Sequence, residues 1–438
     1  MRIAPILLLL LAALCTAHAE RPANIILILA DDLGYETLSV NGSESYTTPN
    51  LDRLAANGAR FEHCYSQPLC TPSRVQIMTG QYNVRNYQKF GILPREETTF
   101  AHKLKEQGYA TCIAGKWQLG MEKESPQHFG FDEALLWHHT YYGRARVDGQ
   151  RVDKRYENPI LDKNGERIEF NNGEFAPDLM VDFIADFIHR KKDQPFLVYY
   201  PMILTHCPFV PTPHSDDWDP TSKGSNSYKG DARYFGDMVE YVDHLVGRIE
   251  AELERQGLLE NTYIIFTGDN GTDRPVVTQF NGAEYPGRKG EMTNAGTHVP
   301  LIVSRPGTIP TGLYDELVDF SDFFPTLCEI AGSDTEALTL DGHSLVSQLH
   351  GGASTPRDYI YCWYNRKATP GKTQIFARNQ RYKLYQTGKF YDIANDLWEK
   401  QPLDASCLSP EQAETKSSLQ AVLDHYKQFD QITERSKK

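Results

Sequence analysis

The chain has 438 residues, 40% hydrophobic and 24% charged, an ordinary globular balance that excludes a fibrous or largely disordered protein. Its 58 acidic against 45 basic residues leave a formal net charge of −13, and no basic block offsets it, which argues against a nucleic-acid partner. An anionic ligand must therefore be drawn in by a local cluster of positive groups, and the length predicts one large domain plus a smaller one, or two of similar size.

At the amino end, Arg2 precedes the apolar run Ile6 to Leu14, and Ala17-His18-Ala19 offers the small-x-small pattern that signal peptidase cuts. The run is shorter than the about 20 apolar residues of a permanent span. Residues 1–19 thus read as a cleaved signal, with mature protein starting near Glu20 and exported to a periplasm or the medium. A lipid anchor on Cys15 is the alternative, for which the bulky Leu14 is a poor fit. No later segment is long and apolar enough to be a membrane span. Cys64, Cys112, Cys207, Cys328, Cys362 and Cys407 are widely and irregularly spaced, with no CxxC pattern, and most read as buried free thiols.

Asn24 to Ala30 is a short continuous apolar run, the mark of a strand buried on both faces, and it leads into Asp31-Asp32. Further along, Cys70-Thr71-Pro72-Ser73-Arg74 is followed by Met78-Thr79-Gly80, and Pro72 and Ser73 suit the entry to a helix. An amphipathic helix is predicted over Asp178 to Lys192, with Phe183, Ile184, Phe187 and Ile188 inward and basic residues in its last turn. A second buried strand is predicted over Pro195 to Ile203, followed by His206. A longer helix over Asp231 to Gln256 carries Phe235, Met238, Val242, Leu245, Ile249 and Leu253 on one stripe. The third buried strand, Thr262 to Thr267, leads into Asp269-Asn270.

Buried strands interleaved with helices predict an α/β fold with a large mixed, mostly parallel sheet. From about Pro356 the texture changes to short Tyr-rich runs at 358–363, 374–378 and 382–386, with a helix over Leu419 to Phe429. This predicts a catalytic domain over 20–355 and a small α+β subdomain with an antiparallel sheet over 356–438. Ligands of open α/β sheets bind beyond the carboxyl ends of the strands. Asp31, Asp32, Asp269 and the amide oxygen of Asn270 would meet there as a hard-cation site, better suited to calcium than to zinc.

The C-T-P-S-R string resembles the signature of the type I sulfatases, in which a maturation enzyme oxidises the cysteine to formylglycine. The resemblance extends to Thr48 through Leu54, Gly115-Lys116-Trp117, Phe266 through Gly271, Arg288-Lys289-Gly290 with Val299-Pro300, and Arg381 through Leu384 with Tyr391-Asp392 and Asp396. It implies the alkaline phosphatase-like fold and hydrolysis of sulfate esters. A hydrated aldehyde at residue 70 offers one hydroxyl to attack sulfur and a second to collapse the adduct, whereas a thiol would be trapped. By the same resemblance Asp31, Asp32, Asp269, Asn270 and modified Cys70 would hold calcium, and Arg74 would tether residue 70. Lys116 and Lys289 would neutralise sulfate oxygens, and His206 would help protonate the leaving oxygen.

Two departures stand out. Gln118 occupies a position where most relatives carry a histidine thought to act as a base, and glutamine cannot take a proton; the alternative is that another group, such as His298, does so. Asn294-Ala295-Gly296 replaces a Glu-Gly-Gly. Substrate contacts are expected from the stretch Trp137 to Tyr156, dense in aromatics, His and Arg, with His138, Arg144 and Arg146 donating to a sulfated carbohydrate. The loop from His206 to Tyr228, with His214 and Trp218, would form the opposing wall. The competing reading is that these aromatics pack the insertion itself and the arginines are solvated. A phosphonate or phosphate monoester hydrolase, and a catalytically weak sulfated-glycan-binding protein, remain the alternatives for the whole chain.

Overall fold

The first strand shows how the core is built. In the computed structural model β1 (Asn24–Ala30) sends Ile25, Leu27 and Leu29 into one apolar cluster and Ile26, Ile28 and Ala30 into another, so both faces of the sheet are covered. The structure describes residues 21–137, 139, 144–147, 149–353 and 356–430; the side chains of Arg144 and Val147 are outside that description. The predicted leader, 1–19, and His138 also lie outside the described residues.

Along the chain follow β2 (Gly58–Tyr65), β3 (Ala110–Lys116) and β4 (Glu133–Trp137), then the hairpin β5 (Arg144–Val147) and β6 (Gln150–Asp153). Next come β7 (Ile160–Lys163), β8 (Glu166–Glu169), β9 (Phe196–Pro201) and β10 (Thr262–Gly268), and the hairpin β11 (Val277–Phe280) and β12 (Ala283–Pro286). Strands β13 (His298–Ser304) and β14 (Gly312–Asp319) complete the body of the molecule. Ten of these form one sheet in the order β14-β2-β13-β10-β1-β9-β3-β4-β7-β8. The central run from β10 to β4 is parallel throughout, while β13 and β7 enter antiparallel on either side. This is the mixed, mostly parallel α/β sheet the sequence predicts.

The helices Ala176–Lys191 and Phe235–Arg255 cover one face, and the predicted stripe of the longer one, from Phe235 to Leu253, is almost fully buried. Each such side chain contributes about 1.5–3 kcal/mol relative to an exposed one. The opposite face is covered by the helices Cys70–Thr79, Phe100–Glu106 and Phe323–Ile330, and by a separate antiparallel sheet of β15 (Ile360–Tyr364), β16 (Gln374–Arg378), β17 (Tyr382–Tyr385) and β18 (Phe390–Asp392). Tyr361, Trp363, Leu384 and Phe390 of that sheet belong to the same core as Leu27 and Leu29.

The carboxy-terminal helix is Pro410–Lys427 and starts nine residues before the prediction, because Ser409 and Gln412 form a capping box with Pro410 in the first turn. Its first two turns are largely exposed, so no apolar period marked them. The polar hairpins β5–β6 and β11–β12 escaped notice for the same reason. All seven described cysteines are free, and all but Cys407 are buried.

Candidate active site

Four strand ends and one helix start converge at the carboxyl edge of the parallel strands. Asp31 and Asp32 follow β1, Asp269 and Asn270 follow β10, Lys116 ends β3, and His206 comes five residues after β9. The ends are held close together. Asp31 N–H donates to Leu204 O (2.7 Å), Thr205 N–H to Asp31 O (2.7 Å) and Asp269 N–H to Ala30 O (2.8 Å). Gly115 lies so near the Pro201 carbonyl that a Cβ there would collide with it, and its φ of +127° is one only glycine adopts readily. Asp32 (φ +64°) and Gln118 (φ +56°) sit in the left-handed region without being glycine, the kind of local strain that gathers at functional sites.

Asp31, Asp32, Asp269 and Asn270 are completely buried. Lys116 Nζ donates to Asp31 Oδ2 (2.7 Å), Lys289 Nζ to Asp32 Oδ2 (2.5 Å), Asn270 Nδ2 to Asp32 Oδ1 (2.8 Å), and Arg74 to Asp269 Oδ2 (2.9 Å). Asp31 Oδ1 and Asn270 Oδ1 are buried without any hydrogen-bond partner, an expensive state for an oxygen. One ligand atom each from Asp31, Cys70 and Asp269 lie within 4.8 Å of one another, and so do atoms of Asp31, Asp32 and His206. Burial pushes Asp269 up to about 7, with Asp31 adding to the rise and Arg74 and Lys116 opposing it. Burial also raises Asp32; it would raise Asp31 too, but Lys116, Arg74 and Lys289 outweigh it and hold Asp31 below the usual carboxylate range. Orphaned oxygens among crowded carboxylates are what a hard cation satisfies, so the residues fit a metal ion.

Cys70 is the first residue of its helix and is buried. Ser73 Oγ accepts from Gln67 N–H (3.1 Å) and donates to Leu69 O (3.0 Å), which fixes the turn that aims residue 70 at the carboxylates. The thiol donates to Gln118 Oε1 (2.9 Å), as does the Thr71 hydroxyl (3.3 Å). Burial keeps the thiol protonated, holding its pKa above the ordinary value. Arg74, expected to tether the modified residue 70, ties the helix to two strand ends, through Asp269 and through Lys116 O (3.0 Å).

His206 lies with Nε2 at 3.9 Å from Asp32 Oδ2. Its Nδ1 lies 2.5 Å from the Arg155 guanidinium and 2.6 Å from Cys207 O, to which Arg155 also donates (2.7 Å), so the ring is held from the Nδ1 side with Nε2 facing the carboxylates. Burial first, then Lys289, Arg155 and Lys116, drive its pKa well down and keep the ring neutral. The Arg155 guanidinium also lies over the Trp137 ring, 4.0 Å from its centre. These groups line a cavity of about 640 Å³ that exposes Cys70, Lys116, Gln118, His206 and Lys289 at its base.

The predicted nucleophile, metal ligands and cations are thus brought together, while of the predicted sugar contacts Arg146 and His214 are not, and His138 and the Arg144 side chain lie outside the described residues. Arg146 is exposed on the β5–β6 hairpin, paired opposite Arg151, and does not line this cavity. His214 packs against Tyr241 and His244 (4.9 and 4.5 Å between ring centres) beside a different cavity. Trp218 packs against Phe175, and buried His139 binds Glu122 O (2.8 Å), so these aromatics stiffen the insertion itself. His298 is also elsewhere, stacked between Tyr35 and Tyr65 and bonded to Glu62 O (2.8 Å) in the wall of a second cavity that shares no residue with the first. The walls come from Trp137, Asp153 and Arg155 of the predicted stretch, from Tyr228 at the end of the predicted opposing loop, and from Lys229, Asp273, Arg274, Tyr364 and Arg366 on other segments. Only the density of arginines and aromatics around Arg155 hinted at this; nothing local marks the rest.

Residues 23–333 match the family description Sulfatase. Human arylsulfatase A is 35% identical over 412 residues, covering 86% of this chain and 77% of the relative. N-acetylgalactosamine-6-sulfatase of Canis lupus familiaris is 32% identical over 392 residues, covering 81% of this chain and 71% of the relative. Among solved structures, Ps i-CgsB in complex with k-i-k-neocarrahexaose superposes with a TM-score of 0.76 at 23% identity, covering 94% of each chain.

Proposed function

The chain belongs to the sulfatase family, hydrolases of sulfuric esters, and from that premise we propose that it releases inorganic sulfate from a sulfated carbohydrate, with a formylglycine made from Cys70 and a calcium ion held by Asp31, Asp32, Asp269 and Asn270. The observation that carries this reading is the pair of orphaned buried oxygens, Asp31 Oδ1 and Asn270 Oδ1, set around a cysteine at a helix start with three cations beside it. When present, the modified residue supplies a hydroxyl nucleophile and the ion supplies positive charge next to it.

The chain's own residues do the rest. Lys116 and Lys289 each donate to a buried carboxylate; burial opposes the charge on Lys289, but Asp32 and its neighbours raise its pKa above the ordinary lysine value. Both ammonium groups can face sulfate oxygens and stabilise the charge that develops on them. His206 turns Nε2 toward the site, its ring held by Arg155 and Cys207 O, and the neutral ring with its proton on Nε2 would donate to the ester oxygen as that oxygen leaves. Gln118 Oε1 accepts from residue 70 and fixes which way its hydroxyl points, yet it removes no proton. A carbohydrate is supported by a polar cavity far larger than a sulfate group, and by a relative named for a sulfated amino sugar.

Three further parts of the reading concern the cell: export on the leader at 1–19, a maturation enzyme that acts on Cys70, and action in a periplasm or the medium. Among the described residues no helix is long and apolar enough to cross a membrane.

Mass spectrometry tests the nucleophile directly. The tryptic peptide 61–74 should lose about 18 Da relative to its cysteine form, as conversion of a thiol to an aldehyde requires. Cys64 in the same peptide serves as the unconverted control. Turnover of nitrophenyl sulfate against nitrophenyl phosphate separates a sulfatase from a phosphate monoesterase. Full activity from Cys70→Ala, or a clear preference for the phosphate, would overturn the proposal.

A further inference from the structure

The charges that line the catalytic cavity do not balance. Six basic residues face two aspartates there, in a chain that is acidic as a whole. Four of the six each have a carboxylate of their own: Lys116 with Asp31 (2.7 Å), Lys289 with Asp32 (2.5 Å), Arg155 with Asp153 (3.7 Å) and Lys229 with Asp273 (2.5 Å). Arg274 shares a single carboxylate with another arginine, and Arg366 pairs with none among the described residues.

Arg274 is 63% exposed, and its only carboxylate within 4 Å among the described residues is Glu291 at 3.6 Å, which Arg288 shares at the same distance. Its Nε donates to the Lys289 carbonyl (3.3 Å), so it is anchored to the segment that carries a catalytic cation. Arg366 has no carboxylate partner among the described residues. It lies over the Phe90 ring, 5.1 Å from its centre, and its carbonyl accepts from Tyr87 Oη (3.0 Å). Two arginines from chain segments ninety-two residues apart therefore line the same pocket as Cys70 and Tyr364, where the sulfate to be cleaved would already be served by Lys116 and Lys289.

We propose that Arg274 and Arg366 form a subsite for a second anionic group on the substrate, so that the preferred substrate is a saccharide carrying another sulfate or a carboxylate besides the ester that is cleaved. This rests on the sulfatase reading and narrows it. Guanidinium groups suit the role because they bind sulfate and carboxylate through paired N–H donors and are weakly hydrated, whereas a neutral hydroxyl would leave them unmatched. The exposed position suits it as well, since neither arginine needs to be desolvated until the ligand arrives. Phe90 and Tyr364 supply apolar surface beside them on which a sugar ring can lie.

The test uses galactose 6-sulfate and galactose 2,6-disulfate as probes, with sulfate release from matured protein and calorimetric binding to the Cys70→Ser variant. The parent should prefer the disulfate by about tenfold or more in kcat/KM and in affinity, and the preference should shrink as salt rises. Arg274→Ala and Arg366→Ala should each remove most of that preference, read as the ratio of kcat/KM on the two sugars and lost mainly through KM on the disulfate. Arg167→Ala, an exposed arginine on β8, is the control for charge alone and should leave that ratio unchanged. Equal efficiency on both sugars in the parent, or equal losses on both in the arginine variants, would overturn the subsite while leaving the sulfatase reading intact. Arginine-dependent binding of the disulfate with no sulfate release from any probe, in protein shown to carry formylglycine, would uphold the subsite and remove the sulfatase reading.

Discussion

Two cavities flank the segment from Asp273 to His298, and they treat buried polar groups in opposite ways. In the catalytic cavity, of about 640 Å³, carboxylates, lysines and arginines are packed as charges in pairs, and two buried oxygens among the carboxylates paired with its lysines have no partner. In the second, of about 580 Å³, two buried titratable groups are pushed toward their neutral forms instead. Burial pushes Glu36 up to about 7 and His298 down to about 3, and among the described residues no buried side-chain atom lining that cavity lacks a hydrogen bond. Burial disfavours a charge in both places; what differs is whether an opposite charge stands within about 3 Å. Unmatched buried oxygens mark the place where a ligand completes the structure, and buried groups that are neutral and hydrogen-bonded, such as Glu36 and His298, mark packing.

The largest effect expected from this contrast is at Asp269. Asp269→Ala removes a carboxylate that the cluster needs and strands Arg74, so activity should fall by at least ~10³-fold and bound metal should be lost with it. Metal analysis together with sulfate release checks this, and a variant that keeps metal and turnover breaks the comparison. Gln118→His is next. It places a titratable group beside residue 70, where the present amide only accepts a hydrogen bond, and general-base help is typically worth ~10²–10⁴-fold if proton removal limits the second step. Burst kinetics on the parent and the variant read this directly; no gain, with no burst in the parent, shows that residue 118 is suited to its own pocket.

On the other side, His298→Gln should change kcat/KM by less than about threefold while lowering stability by roughly 1 kcal/mol, since it loses stacking on Tyr35 and Tyr65. A collapse of activity in correctly folded protein would place His298 in the chemistry after all. The smallest effect is at Glu36. Its folded-state pKa is raised from 4.5 to about 7, chiefly by burial, so the stability of the neutral form is fully present below pH 4.5 and is lost as pH rises through about 7. Glu36→Gln should therefore gain roughly 2–3 kcal/mol on the parent between pH 4.5 and pH 8, read from denaturant midpoints at the two values. A parallel pH dependence in the two proteins would show that Glu36 stays charged.

Much of the site was legible before any fold was known. The strands Asn24–Ala30 and Thr262–Gly268 announce themselves as continuous apolar runs, and the carboxylates that follow them are fixed to the sheet edge by adjacency alone. The Cys70 helix start follows from Pro72 and Ser73 in the same way. The carboxy-terminal sheet was readable from its Tyr-rich runs except for the three-residue β18, too short to show a period. The hairpins were missed because a polar, half-exposed strand has no apolar alternation to detect.

What the sequence by itself determined is therefore the chemistry: the nucleophile string, the acidic ends of buried strands, and the two lysines that meet them. Each of these depends on a side chain lying next to a local signal, and local signals survive without the fold. What only the tertiary structure decided is which cations face the substrate. Arg144, Arg146 and His214 were the natural candidates because they cluster in sequence, yet Arg146 and His214 point to other surfaces, while Arg155, Arg274 and Arg366 come from separate segments to line the cavity. The reason is that a pocket wall is set by how the crossover loops and the carboxy-terminal sheet stack over the strand ends. That stacking is governed by burial of apolar residues on both faces of the small sheet, Trp363 in the main core and Phe376 beside Leu69 and Met292, and it carries neighbouring charged residues wherever the packing leaves them.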